Sequence, residues 1–226
     1  ASGLQTIIPK DGSDTSLAYT VGIDTALDAT RLPLVREPGA KWHYSNYDTL
    51  LLMRSLKTAI GRPQKYLDFP YKRLFDRIGM HDTFAETDVY GNYVLSSQVY
   101  TTARDLARFA YLYLNDGVWN GRRLLPEGWV QYSCTPTSAE TSLTDGVHFG
   151  ALWGLYDLTF DEADGLSDLT VCTTRGARGQ FAAFVPEHDL VIARQGVDEW
   201  DVEGTLEGFD EASFFTDVIR AVASGQ

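Results

Sequence analysis

At 226 residues, with 44% apolar and 22% charged side chains, the chain can bury one good core and has the make-up of an ordinary soluble globular protein. The formal net charge of −12 argues against nucleic acid or an anionic membrane surface as a partner, because both are held by clustered Lys and Arg. No run of about 18 apolar residues occurs, so no transmembrane helix is expected. The opening Ala1-Ser2-Gly3-Leu4 has neither the basic flank nor the apolar stretch of a signal peptide, and the compartment stays open.

Residues 1–40 are rich in Gly, Ser, Asp and Pro without a sustained period, and read as loop. A helix is predicted over 46–60, where Leu50, Leu51, Met53, Leu56 and Ile60 form a stripe and Gly61 with Pro63 supplies the stop. A second is expected over 64–80, ending at Gly79. The clearest helical signal covers 102–115. Thr102 and Asp105 resemble a capping box there, and Leu106, Phe109, Ala110, Leu112 and Tyr113 recur at core spacing before Gly117. A short helix is predicted to begin at Pro126, a residue suited to the first helical position.

After residue 148 the period changes. Residues 149–160 read as one strand, and 180–185 and 190–194 as two more, joined by the turn Pro186-Glu187-His188-Asp189. A closing helix is predicted over 209–223, with Phe214, Phe215, Val218, Ile219 and Val222 on its inner face. Helices first, then a meander of antiparallel strands, then one helix is an α+β order.

Several chemical constellations are missing from the sequence: no G-x-S-x-G elbow, no H-E-x-x-H, no phosphate loop ending in Lys-Ser or Lys-Thr. His43, His81, His148 and His188 lack ligand spacing, so no metal and no cofactor is expected. Cys134 and Cys172 are either two buried thiols or one bridge. The informative stretch is Pro38-Gly39-Ala40-Lys41-Trp42-His43-Tyr44-Ser45-Asn46, a Pro-Gly turn leading through Trp42 to Tyr-Ser-Asn directly before an apolar helix. Taken alone, Tyr44 reads as a buried structural tyrosine.

In its setting this string resembles the Tyr-x-Asn motif of the penicillin-recognising, or serine β-lactamase-like, superfamily. That group includes class C β-lactamases, D-alanyl-D-alanine peptidases, family VIII carboxylesterases and 6-aminohexanoate-dimer hydrolases. Leu74-Phe75-Asp76-Arg77-Ile78-Gly79-Met80 with Thr83 looks like the family's L-x-x-x-x-G-M-x-x-T segment. Ser97 with the run from Thr102 to Phe109 is similar to its S…T-A-R-D-x-A-R-F helix. Asn115-Asp116-Gly117-Val118-Trp119 and Leu124-Leu125-Pro126-Glu127-Gly128-Trp129 continue the likeness. Gly176-Ala177-Arg178-Gly179-Gln180, then Pro186 and Leu190-Val191-Ile192, resembles the G-x-x-G-Q strand of the nylon-oligomer hydrolase branch.

The resemblance implies a β-lactamase/transpeptidase-like α+β fold: an antiparallel sheet flanked by helices, with a helical lobe and its N-terminal part missing. The chain is then a single incomplete domain over 1–226, with a mainly helical lobe and loops over 1–147 and strands plus a C-terminal helix over 148–226. It also implies an acyl-transfer hydrolase acting on a small ester or amide. Tyr44 matches the tyrosine that shuttles the nucleophile's proton, and Asn46 the asparagine that hydrogen-bonds the lysine or the substrate amide. The backbone N–H of Ala177 matches the second oxyanion donor. Gly176, Arg178, Gly179 and Gln180 would edge the substrate. The Lys-Thr-Gly that holds a carboxylate in β-lactamases is absent, which favours an esterase or amidase, with Arg175 or Arg178 as substitute cations.

Family members attack with the Ser of Ser-x-x-Lys, upstream of the tyrosine. None of the serines here has Lys three positions on, and Ser55-Leu56-Lys57 is one residue short and downstream. The opening Ala1-Ser2-Gly3-Leu4 resembles the T-S-G-L that follows the nucleophile helix. The expectation is therefore that the nucleophile lies outside this chain, on an upstream segment or on a separate N-terminal chain. The other reading is a homologue without a nucleophile that binds ligands or partners.

Overall fold

The computed structural model describes Ser2, Leu4, Asp24, Thr25, Leu27 and residues 30–137, 147–196 and 209–225; most of the loop expected over 1–40 lies outside them. The chain divides into two compact units, whose described residues are those up to Thr101 and those from Thr102 onward.

In the first unit, helix α1 spans Asn46–Ile60, the residues expected, and stops at Gly61. The stop is physical: Gly61 takes φ 66°, and its N–H donates to the Lys57 carbonyl. Helix α2, Pro63–Pro70, begins on a proline and also ends on one. Pro70 cannot donate to the ladder, and the chain passes into a π-turn over Tyr71–Phe75 and then α3, Asp76–Ile78. The single helix expected over 64–80 is thus three pieces, ended by Gly79 at φ 75°. Tyr66 and Tyr93 are buried with ring centroids 5.2 Å apart, and the Tyr93 N–H donates to the Tyr66 hydroxyl at 3.1 Å. A short antiparallel ribbon pairs β1, Phe84–Ala85, with β2, Val99–Tyr100.

The second unit is a three-layer sandwich. Helix α4, Ala103–Leu114, is capped by Thr102, whose hydroxyl accepts from the Asp105 N–H at 3.2 Å. The Asp105 side chain is fully buried and pairs with Arg108 at 2.5 Å. A ribbon of β3, Val118–Trp119, and β4, Arg122–Arg123, leads to α5, Trp129–Ser133. This helix starts three residues later than expected, because Gly128 at φ 75° forms the N-cap and Pro126 stays in the preceding turn.

Among the described residues the sheet is antiparallel and five-stranded in the order β5 (His148–Phe149), β6 (Gly154–Leu158), β7 (Leu169–Thr173), β8 (Phe181–Val185) and β9 (Leu190–Arg194). The strand expected over 149–160 is in fact a hairpin. Gly150 donates to the Trp153 carbonyl at 2.9 Å, Leu152 takes φ 69°, and a Cβ at Gly150 would lie 2.0 Å from the Ser133 carbonyl oxygen. Helix α6 spans Glu211–Ser224 and is capped by Asp210.

Side-chain parity sorts the two faces. Leu155, Cys172, Phe184 and Val191 meet Tyr113, Trp153 and Phe109 on the α4 and α5 side. Tyr156 and Phe181 meet Phe215 of α6 on the other. Burial on both faces explains why β8 reads Phe-Ala-Ala-Phe-Val without a polar alternation. Cys134 and Cys172 form a disulfide with Cα atoms 5.9 Å apart, which settles the pairing and ties the end of α5 to β7. No described helix is long and apolar enough to cross a membrane.

Candidate active site

The two halves of the expected site fall in different units, and each has its own local geometry. In the first, Gly39 at φ 84° and the Ala40 N–H donating to the Glu37 carbonyl at 3.2 Å make the Pro-Gly turn. Trp42 is buried and anchors the segment, while Tyr44 is 56% exposed. Ser45 is the extended N-cap of α1 and Asn46 its first residue. The Tyr44 hydroxyl donates to Asn46 Oδ1 at 3.2 Å. The structure therefore replaces the ordinary reading of Tyr44 as a core tyrosine: the phenol is on the surface, with its oxygen held by the amide two residues on.

In the second unit the residues 176–180 form the tip of the β7–β8 hairpin. The Gly176 N–H donates to the Gln180 carbonyl at 2.6 Å, and the Thr174 N–H to the Ala182 carbonyl at 2.8 Å. The return bond from the Ala182 N–H is taken by the Thr174 hydroxyl at 2.9 Å. The turn Ala177-Arg178-Gly179 closes through two left-handed residues, Arg178 at φ 64° and Gly179 at φ 75°. Its carbonyls are also tied: Gln180 Nε2 donates to that of Ala177 at 3.2 Å, and Arg194 to that of Gly179 at 2.5 Å.

Ala177 is exposed, and among the described residues no acceptor takes its N–H. Gly176 is needed for a nearer reason than substrate approach. A Cβ there would come within 2.8 Å of the Gln180 carbonyl oxygen, so it is the hairpin's own return strand that requires glycine.

The comparisons with known proteins bear on what these halves belong to. A family model described as Beta-lactamase matches residues 2–194. The chain belongs to that family. Among solved structures it is similar to a candidate beta-lactamase of Bacteroides dorei, at 18% identity and TM-score 0.65, covering 98% of this chain and 69% of that one. It is also similar to a candidate 6-aminohexanoate-dimer hydrolase from Bacillus anthracis, at 20% identity and TM-score 0.61, covering 88% of this chain and 47% of that one. A beta-lactamase/D-alanine carboxypeptidase from Yersinia pestis matches at 16% identity and TM-score 0.58, covering 99% and 68%. This Beta-lactamase-family chain thus spans between about half and about two thirds of the length of these relatives, and at such identities the likeness establishes the fold. No curated protein matches the chain.

Two other features of the sequence have a local geometry of their own. Ser55 and Lys57 do not make a nucleophile pair. The Ser55 hydroxyl donates to the Leu51 carbonyl at 2.9 Å, and Lys57 Nζ donates to the Tyr90 carbonyl and Asn92 Oδ1 at 2.9 and 2.8 Å. Of the two arginines expected as substitute cations, Arg175 turns to Glu211, with Nε 3.5 Å from Oε2, and lies over the Tyr156 ring at 5.8 Å. Arg178 remains exposed at the hairpin tip, without an ion pair among the described residues. Glu211 and Tyr156 carry no local sequence signal, because the contact that singles them out is long-range. No group of three His, Cys, Asp or Glu among the described residues could hold a metal.

Proposed function

We propose that this chain supplies the proton-shuttling and oxyanion-binding part of a serine ester or amide hydrolase that works by acyl transfer on a small substrate. The nucleophile comes from a Ser-x-x-Lys outside the 226 residues. The observation that carries the reading is the exposed Tyr44 hydroxyl bonded to Asn46 at the start of α1, in a chain of the Beta-lactamase family.

Each group has a role its chemistry allows. The serine hydroxyl attacks the carbonyl carbon while its proton passes to the Tyr44 oxygen, which a neighbouring lysine cation keeps available as phenolate. Asn46 fixes the phenol's direction through the bond it already accepts. The negative oxygen of the tetrahedral intermediate is met by the Ala177 N–H, which needs no rearrangement because the hairpin is pinned on both sides. The proton then returns to the leaving alcohol or amine, and water repeats the cycle to release the acid. The absence of Lys-Thr-Gly favours esters and simple amides over β-lactams.

The test is turnover of p-nitrophenyl butyrate by the protein carrying its upstream segment. Tyr44→Phe should lower kcat roughly 100-fold or more, the scale of lost general-base catalysis; a near-normal rate removes Tyr44 from the mechanism. The second reading, a binding homologue without catalysis, is favoured by one observation: no serine of the chain precedes a lysine by three residues. Under it the extended protein would show no turnover at all.

A further inference from the structure

The hairpin 176–180 is held from its base by a network on the α6 side of the sheet. Arg175, the residue before Gly176, extends across β6 toward the first turn of α6. Gly154 clears its path, since a Cβ there would lie 3.1 Å from the Arg175 Cδ. The guanidinium reaches the Tyr156 ring at 5.8 Å and Glu211 Oε2 at 3.5 Å, and the Tyr156 hydroxyl donates to the same oxygen. The Glu211 side chain is 11% exposed and that of Arg175 31%. Glu211 also sits where the helix dipole of α6 favours a carboxylate. An arginine at the root of a turn, with its guanidinium beside a carboxylate that the Tyr156 hydroxyl also bonds, has its side chain restrained next to the backbone of Gly176.

We infer that Glu211 and Tyr156 are positioning residues which, through Arg175, set the conformation of residues 176–180 and so the aim of the Ala177 N–H. The inference deepens the hydrolase reading and rests on it for its functional meaning, but the geometry it asserts is measurable in the chain itself. It makes the Arg175 charge structural, and leaves Arg178 as the hairpin's outward cation.

Hydrogen exchange of single amides tests it without any turnover. In Glu211→Gln and in Arg175→Met, exchange of the Gly176 and Thr174 amides should rise about 10-fold or more, while amides of α4 stay as in the parent. The double variant should exchange no faster than Arg175→Met alone, because that variant already removes the link to Glu211. Unchanged Gly176 exchange in both single variants would overturn the inference, as would additive effects or an equal rise across α4 and the sheet. Should Glu211→Gln fail to fold, Tyr156→Phe decides instead: a several-fold rise confined to the hairpin supports the network, and no change refutes it. Because no substrate is involved, a failed hydrolase assay and a failed exchange experiment speak to different claims.

Discussion

Tyr44 and Asn46 act as a pair because they bracket a helix start. The residue before Asn46 must be extended to begin the helix, which turns the Tyr44 side chain outward while its hydroxyl reaches the amide at 3.2 Å. The helix boundary and the two residue types were legible from Tyr-Ser-Asn before an apolar stripe, whereas the outward phenol and its bond to Asn46, expected instead to meet a lysine or the substrate amide, were not. Nor was the charge network around Asp88. Its carboxylate accepts from the Tyr90 and Asn92 N–H groups, from the Asn92 amide and from the Thr25 hydroxyl, most of them backbone or long-range partners. Burial pushes the Asp88 carboxyl up, but these hydrogen bonds outweigh it and hold it below the usual carboxylate value of 3.8. A folded value below the unfolded one gives stability that is present above about pH 4 and lost as pH falls through the folded value. Urea midpoints measured from pH 6 down to pH 2.5 should therefore fall less steeply in Asp88→Asn than in the parent. Parallel curves would show that Asp88 titrates no differently on folding.

At the scale of elements, the helices were readable because their stripes and stops are local. Leu50 and its neighbours with Gly61 define α1, and Thr102 with the apolar positions to Tyr113 defines α4. Errors came where a tertiary contact overrides local sense. Gly150 turns the chain because the Ser133 carbonyl occupies the space of a side chain, and α5 begins at Trp129 behind the Gly128 cap, not at Pro126. Strand β7 was missed although Leu-Thr-Val-Cys-Thr is rich in β-branched residues, a signal strong enough to have found it. The pairing of Cys134 with Cys172 was beyond sequence, since it depends on α5 lying over the sheet. That bond spans 38 residues, and the loop-closure model assigns it roughly 4 kcal/mol. Reduction, or replacement of both cysteines by Ala, should lower the melting temperature by roughly 10 °C. An unchanged melt would mean that packing alone holds α5 in place.

On the scale of the whole molecule, the α+β order and the antiparallel sheet followed from the change of period after residue 148, and the family from strings spread along the chain. The sandwich of the second unit explains why the order was readable: a sheet buried on both faces leaves continuous apolar strands, and the helices that cover it keep amphipathic stripes. The ion pair of Arg175 with Glu211 had no such trace, because it joins residues on separate elements by folding alone. The proposed reading is chemical: a tyrosine and an oxyanion hairpin from this chain, and a nucleophilic serine from outside it. Intact-mass analysis after treatment with a fluorophosphonate tests it most directly, on this chain alone and on the same chain extended by its upstream segment. The account predicts no adduct on the 226 residues and a single adduct, on the serine of Ser-x-x-Lys, in the extended protein. An adduct on the chain alone, or none on the extended one, would contradict it.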